Sequence, residues 1–179
     1  NDADATVMSI ATGTTTATFG GNIDAVAGGI NLGATGAANL LDDYETGTWN
    51  VVISDAASAG NTATLASSKG NYTKIGNIVS IQMDAQNIDT TGMTAGNGLY
   101  IQGLPFTSGT DAGHNAPLSI MLGNATFSGY VSGWIDDNTT VITLLAVTSG
   151  ANFANQLVNT LTSGASDLYI QGTYRVKGE

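Results

Sequence analysis

The groups best suited to proton transfer or metal binding in this 179-residue chain are one histidine and fourteen acidic side chains; cysteine is absent. His114 lies in the polar segment Gly109-Thr110-Asp111-Ala112-Gly113-His114-Asn115, close enough to Asp111 to pair with it, but no activated serine accompanies them. A single histidine precludes a multi-histidine metal site within one chain. Glycoside hydrolysis needs two carboxyl groups roughly 5–10 Å apart across a sugar. The candidate acids are Asp42, Asp43, Glu45, Asp84, Asp89, Asp111, Asp136, Asp137 and Asp167. Asp42-Asp43 and Asp136-Asp137 are adjacent, so their side chains diverge if the backbone is extended, and nothing marks a proton donor in an apolar pocket. Asp136, Asp137 and Asn138 could offer oxygens to calcium, but the spacing of an EF-hand is absent and a polar turn accounts for them equally. No Gly-Lys-Ser/Thr phosphate loop occurs. The expectation is a protein that is not an enzyme and holds no cofactor or metal.

Residues suited to binding stand out more clearly. Tyr130 and Trp134 flank Ser132 at alternate positions, Tyr100 alternates with Gln102, and Tyr169 alternates with Gln171. Aromatic rings flanked by amides and hydroxyls suit stacking on sugar C–H faces. They suit equally a contact between subunits, where aromatic residues are enriched. Tyr130, Trp134, Tyr100, Tyr169, Gln102 and His114 are therefore the receptor-binding candidates. Segments 84–96 and 107–115 are candidate recognition loops, because a rigid scaffold presents its loops. The pentapeptide Leu99-Tyr100-Ile101-Gln102-Gly103 recurs as Leu168-Tyr169-Ile170-Gln171-Gly172, so matching strands are expected at equivalent places in two sheets.

Composition frames these candidates. Charged residues make up 10% of the chain, against about 25% in ordinary globular proteins, so the polar surface must come from Ser, Thr, Asn, Gln and Gly. Net charge is −10 with four basic residues. Nucleic-acid binding depends on Lys and Arg displacing counterions from phosphates, and docking on an anionic membrane needs the same residues; neither partner is expected. No apolar run approaches the roughly 20 residues of a membrane span, so insertion is not expected. Because the chain starts at Asn1 without Met, it is expected to be the ordered end of a longer protein.

The elements that would position these residues divide into two regions. Residues 1–40 are rich in Gly, Ala and Thr and have short apolar stretches broken by Gly20-Gly21, Gly28-Gly29, Gly33 and Gly36. Strands that short cannot form a sheet face alone, and the expectation is a stalk wound with identical copies of the chain. From residue 41 to 179 the strands lengthen and alternate with period two, as in Val79, Ile81, Met83 and Ala85 against Ser80, Gln82 and Asp84. Seven or eight such strands, separated by Gly/Asn/Asp/Ser breaks, predict an all-β head, an antiparallel β-sandwich that is jelly-roll-like. Thr139–Val147 is apolar on both faces and predicts a central strand. Residues 150–163, with Phe153, Leu157, Val158 and Leu161 near helical spacing, are open between a short helix and a long loop.

Four motifs follow one another in this region. Leu41-Asp42-Asp43-Tyr44-Glu45-Thr46-Gly47-Thr48-Trp49 resembles the opening motif of a C-terminal head module of bacteriophage tail fibres and related virion proteins. Gly70-Asn71-Tyr72-Thr73-Lys74-Ile75-Gly76-Asn77-Ile78-Val79 resembles its second signature, and Tyr100-Ile101-Gln102-Gly103-Leu104-Pro105-Phe106 its third, a Gly-Leu-Pro-Phe strand end. Gly172-Thr173-Tyr174-Arg175-Val176 fits its closing strand, and Gly29-Ile30-Asn31-Leu32-Gly33 resembles the stalk that precedes such heads. The resemblance spans residues 29–177 and implies a trimeric fibre tip in the virion. Such a tip joins other tail proteins on its N-terminal side and recognises a bacterial surface glycan. Some family members are purely structural virion pieces, and a polysaccharide-degrading tailspike fragment is the further alternative. Within the motifs, Trp49 is expected to anchor the core, Gly47 to supply an unusual backbone angle, and Pro105 to end a strand. Tyr72, Lys74 and Asn77 are expected to build a tight turn with Asn77 left-handed.

Overall fold

Alternation with period two resolves into two antiparallel sheets. The computed structural model describes residues 30–31, 40–41, 43–110 and 115–177. The chain divides into two units, Asn1–Leu40 and Leu41–Glu179. Apart from Ile30, Asn31 and Leu40, the expected stalk lies outside the described residues, and so does His114.

In chain order the strands are β1 (Ile30–Asn31), β2 (Leu40–Leu41), β3 (Tyr44–Trp49), β4 (Val52–Ser54), β5 (Ser67–Ile75), β6 (Ile78–Ile88) and β7 (Tyr100–Gln102). They continue with β8 (Ala116–Pro117), β9 (Ser119–Gly123), β10 (Tyr130–Ile135), β11 (Val141–Val147), β12 (Ala154–Asn155) and β13 (Ser166–Arg175). One sheet has the order β3-β5-β6-β13-β9; the other runs β4-β7-β11-β10-β8, with β12 pairing on β11. The second unit is thus a two-sheet antiparallel sandwich. It has more strands than the sequence suggested, because short ones such as β8 and β12 leave no alternation to read.

The inner faces follow from register. Ile53, Ile101, Ile142 and Ile135 stand side by side across β4, β7, β11 and β10, none more than 1% exposed. Opposite them β6 contributes Val79, Ile81, Met83 and Ala85, and β13 contributes Leu168 and Ile170, to the same core. Burying each of the larger side chains is worth about 1.5–3 kcal/mol, so the pleat's choice of face is strongly set: a one-residue slip would expose the whole row. β11 is flanked by β7 and β10, the central position its two apolar faces predicted.

Residues 150–163 form neither a helix nor one long loop. They hold β12 and a three-residue 3-10 turn, Val158–Thr160. The helical spacing is coincidental: Val158 and Leu161 enter the core, while Phe153 packs on the opposite side of the six-stranded sheet against Trp134.

The motif residues meet at one end of the interior. Lys74 is buried, pairs with Asp43, and has its ammonium 5.6 Å from the centre of the Phe106 ring. Phe106 meets Tyr72 edge-on, with centroids 5.2 Å apart, and Tyr72 donates its hydroxyl hydrogen bond to Glu45. Tyr174 donates to the Phe106 carbonyl at 2.9 Å. Trp49 is buried as expected of a core anchor. Two expectations are corrected. Gly47 has no unusual backbone angle; it is small because the Tyr72 ring lies over it, where a Cβ would come within 2.7 Å. Tyr72 and Lys74 lie in β5, and the β5–β6 turn takes its positive φ, 55°, at Gly76, not at Asn77.

Candidate functional site

The repeated pentapeptide takes equivalent places in the two sheets. Leu99 and Ile101 of the first copy, and Leu168 and Ile170 of the second, point into the core. β7 and β13 are each second from an edge of their sheet. Tyr100 and Gln102 therefore face outward from the six-stranded sheet, and Tyr169 and Gln171 from the five-stranded sheet. Sequence treats the two pairs alike, but their surroundings differ.

On the six-stranded face the polar groups of Gln102 and Tyr100 are occupied. Gln102 Nε2 donates to the carbonyls of Ala56, at 2.8 Å, and Ala59, at 3.0 Å, so it ties down the loop after β4. Tyr100 accepts a 3.0 Å hydrogen bond from Asn155 Nδ2. Trp134 packs edge-on against Phe153 with centroids 5.0 Å apart. Leu145, paired with Asn155 on one side and Ser132 on the other, is buried outside the main core. This face is thus a small secondary core with an exposed aromatic margin: Tyr130 is 60% exposed, and Phe127 and Phe153 are also exposed.

The five-stranded face is the reverse. Three of its cross-strand rows are mainly polar; a further row, Tyr44, Ile75, Ile78 and Arg175, continues the same face with Tyr44, Ile75 and Ile78 exposed. Lys69, Asp84, Tyr169 and Met121 form the first, across β5, β6, β13 and β9. Thr48, Asn71, Gln82, Gln171 and Ser119 form the second. Thr46, Thr73, Ser80 and Thr173 form the third. Asn71, Gln82, Gln171 and Tyr169 make no side-chain hydrogen bond to any described residue. Lys69 stands opposite Asp84 without closing an ion pair, and one Asp84 carboxylate oxygen is enclosed with no donor. A depression of about 390 Å³ lies over the first two rows, and a second of about 370 Å³ over the second and third, sharing Gln82, Ser119 and Gln171. These rows offer amide and hydroxyl donors and acceptors, with one opposed Lys–Asp pair, around the Tyr169 phenol.

The carboxylates are mostly engaged in holding the fold. Asp55, not among the sequence candidates, is buried and accepts from the Thr94 N–H at 2.7 Å and from the Asn61 backbone and side chain at 2.8 and 2.9 Å. The Thr94 N–H first, then Asn61, hold its pKa down at about 2. Asp89 is lowered to about 2 by hydrogen bonds from Thr91 and Ser163. Asp167 accepts from the Asn87 N–H at 2.9 Å, and Asp136 caps its own turn through the Asp137 N–H at 2.8 Å. Asp42 and Asp111 lie outside the described residues. Among the described residues, no group of three or more His, Asp or Glu side chains converges on a metal-sized space, and no helix is long and apolar enough to cross a membrane.

The structure thus separates the sequence candidates. Tyr100, Gln102, Tyr130 and Trp134 share one sheet, and Tyr169 lies on the other beside Asp84, which the sequence offered as a candidate acid, and beside residues that sequence reasoning left unassigned: Lys69, Asn71, Gln82 and Ser119. Their signal was present in the polar half of the alternation in β5 and β6. No family model matches the sequence, and no curated protein matches it. Among solved structures, the Dettilon tailspike protein is similar over 74% of this chain, with a TM-score of 0.56 at 19% identity. The matched part is 24% of that tailspike's length, and the likeness is one of fold.

Proposed function

We propose that this chain is a distal, non-catalytic module of a bacteriophage tail fibre that recognises a bacterial surface glycan. The observation that carries the reading is the outer face of the five-stranded sheet, where amide and hydroxyl side chains surround Tyr169 and none is spent on the protein itself. Gln82, Gln171 and Ser119 are exposed and Asn71 and Tyr169 half-buried, so these groups stand free for a partner, and a wet face rich in amides and hydroxyls suits an uncharged, hydroxyl-rich one. The fold likeness to a tailspike and the four ordered motifs support the phage setting. In this reading the protein resides in the virion, acts outside the host cell, and joins other tail proteins through its N-terminal side. Residues 1–40 wind with two further copies into a trimeric stalk. The engagement of Asp43, Asp55, Asp89 and Asp167 in structural contacts supports a role without catalysis.

Labelled full-length protein incubated with a panel of bacterial strains tests the reading. Adsorption to some strains and not others is expected; no adsorption to any strain would overturn receptor recognition. Light scattering should give a mass of three chains of 18.1 kDa each, and a monomer would remove the wound stalk. The exposed Phe127, Tyr130 and Phe153 favour a second reading, in which the module only packs against other virion proteins.

A further inference from the structure

We infer that the outer face of the five-stranded sheet is a two-subsite cleft for an uncharged oligosaccharide lying along β6 and β13. The inference rests on the receptor reading above and adds the place, the ligand class and its direction. The two depressions follow one another along the strands and share Gln82, Ser119 and Gln171. From Asp84 to Ser80 along β6 is about 13 Å at the usual strand rise, longer than one sugar ring, so the ligand is a chain and not a monosaccharide.

The subsites differ in chemistry. The first pairs the half-buried Tyr169 ring with Met121, which is 62% exposed; together they give an apolar floor for the C–H face of a pyranose. Asp84, between Lys69 and Tyr169, supplies an acceptor that the protein leaves unsatisfied. The second subsite has no ring. Gln82, Gln171 and Ser119 lie side by side across β6, β13 and β9, and each amide can both donate and accept, matching vicinal hydroxyls.

Charge selects the ligand class. Lys69 is opposed by Asp84 in register, and they are the charged residues lining the two depressions, so neither depression holds a net positive charge to attract an acidic polymer, and the chain as a whole carries −10. Binding by neutral hydrogen bonds and stacking is also insensitive to salt, unlike binding by exposed ion pairs. The opposite face does not compete for this role, because Gln102 and Tyr100 are bonded within the protein.

Saturation-transfer NMR on the full chain, with glucan, mannan, galactan and N-acetylglucosamine tetramers as probes, tests the site without a bacterium. At least one probe should show transfer that persists in high salt. It should weaken about tenfold in Gln82→Ala/Gln171→Ala, from the loss of two hydrogen-bonding amides, and be lost in Tyr169→Ala. Tyr130→Ser, on the other sheet, should leave it unchanged. Absence of transfer from all four probes, or transfer that survives the face variants, would overturn the site. So would dissociation of the native oligomer in Gln82→Ala/Gln171→Ala, which would assign the face to a second copy of this chain. Sugar binding without adsorption to bacteria would keep the cleft and remove the receptor reading; adsorption that the face variants leave intact would do the reverse.

Discussion

The Lys74 ammonium lies 5.6 Å from the centre of the Phe106 ring while it pairs with the Asp43 carboxylate. Three of the ordered sequence motifs thus close on one buried cation. Asp43→Ala leaves Lys74, whose side chain is 10% exposed, without its counter-charge and should lower the unfolding free energy by about 1–3 kcal/mol. Lys74→Met, which removes the charge and keeps the apolar stem, should cost less. Urea denaturation of both variants measures the difference.

Gly70 stands opposite Trp49 in register, and a Cβ on it would come within 2.6 Å of the indole ring. Gly70→Ala should therefore destabilise by about 1–3 kcal/mol through displacement of a packed side chain. A midpoint of denaturation equal to that of the unaltered protein would contradict this seat for Trp49.

Asp55 and Asp89 each have a folded-state pKa of about 2, against an ordinary value of 3.8. Both are depressed carboxylates, so the stability they contribute is fully present above pH 3.8 and is lost as pH falls toward 2. Thermal melting should drop across that window, and Asp89→Asn should flatten part of the drop. At the other extreme, burial raises the pKa of Tyr174 above its ordinary 10.0. Its contribution is present below that value and is lost as pH rises beyond it, so Tyr174→Phe should resist alkaline melting better than the unaltered protein does.

The two copies of the pentapeptide predict opposite behaviour for the same substitution. Gln102→Ala frees the Ala56 carbonyl and leaves that of Ala59 to Ser54 Oγ, and should cost about 1 kcal/mol, with faster hydrogen exchange at Asn61. Gln171→Ala touches no described hydrogen bond and should change stability by less than about 0.5 kcal/mol.

That contrast also marks what sequence can carry. Strand faces were legible because burying Val79, Ile81, Met83 and Ala85 on one side of β6 enforces the period of two. The central place of β11 was legible because both its faces are apolar. The division of labour between Tyr100-Gln102 and Tyr169-Gln171 was not legible, because it depends on whether a distant loop or β12 arrives to use the amide and the phenol. Helical spacing in residues 150–163 misled for a related reason: Val158 is buried in the core, while Phe153 is exposed and packs against Trp134 on the other side of the sheet. Gly47 was singled out correctly but for the wrong cause, since its neighbour in space, Tyr72, comes from another strand. Asp55 escaped notice because its donors, Asn61 and Thr94, belong to separate loops.

Adsorption of the labelled full-length protein to a panel of bacterial strains, compared with Gln82→Ala/Gln171→Ala and Tyr130→Ser, decides whether the five-stranded face carries recognition. Strains that hold the unaltered protein should also hold Tyr130→Ser and release the double variant. Equal adsorption of the double variant, or adsorption of none of the three, would contradict recognition by that face.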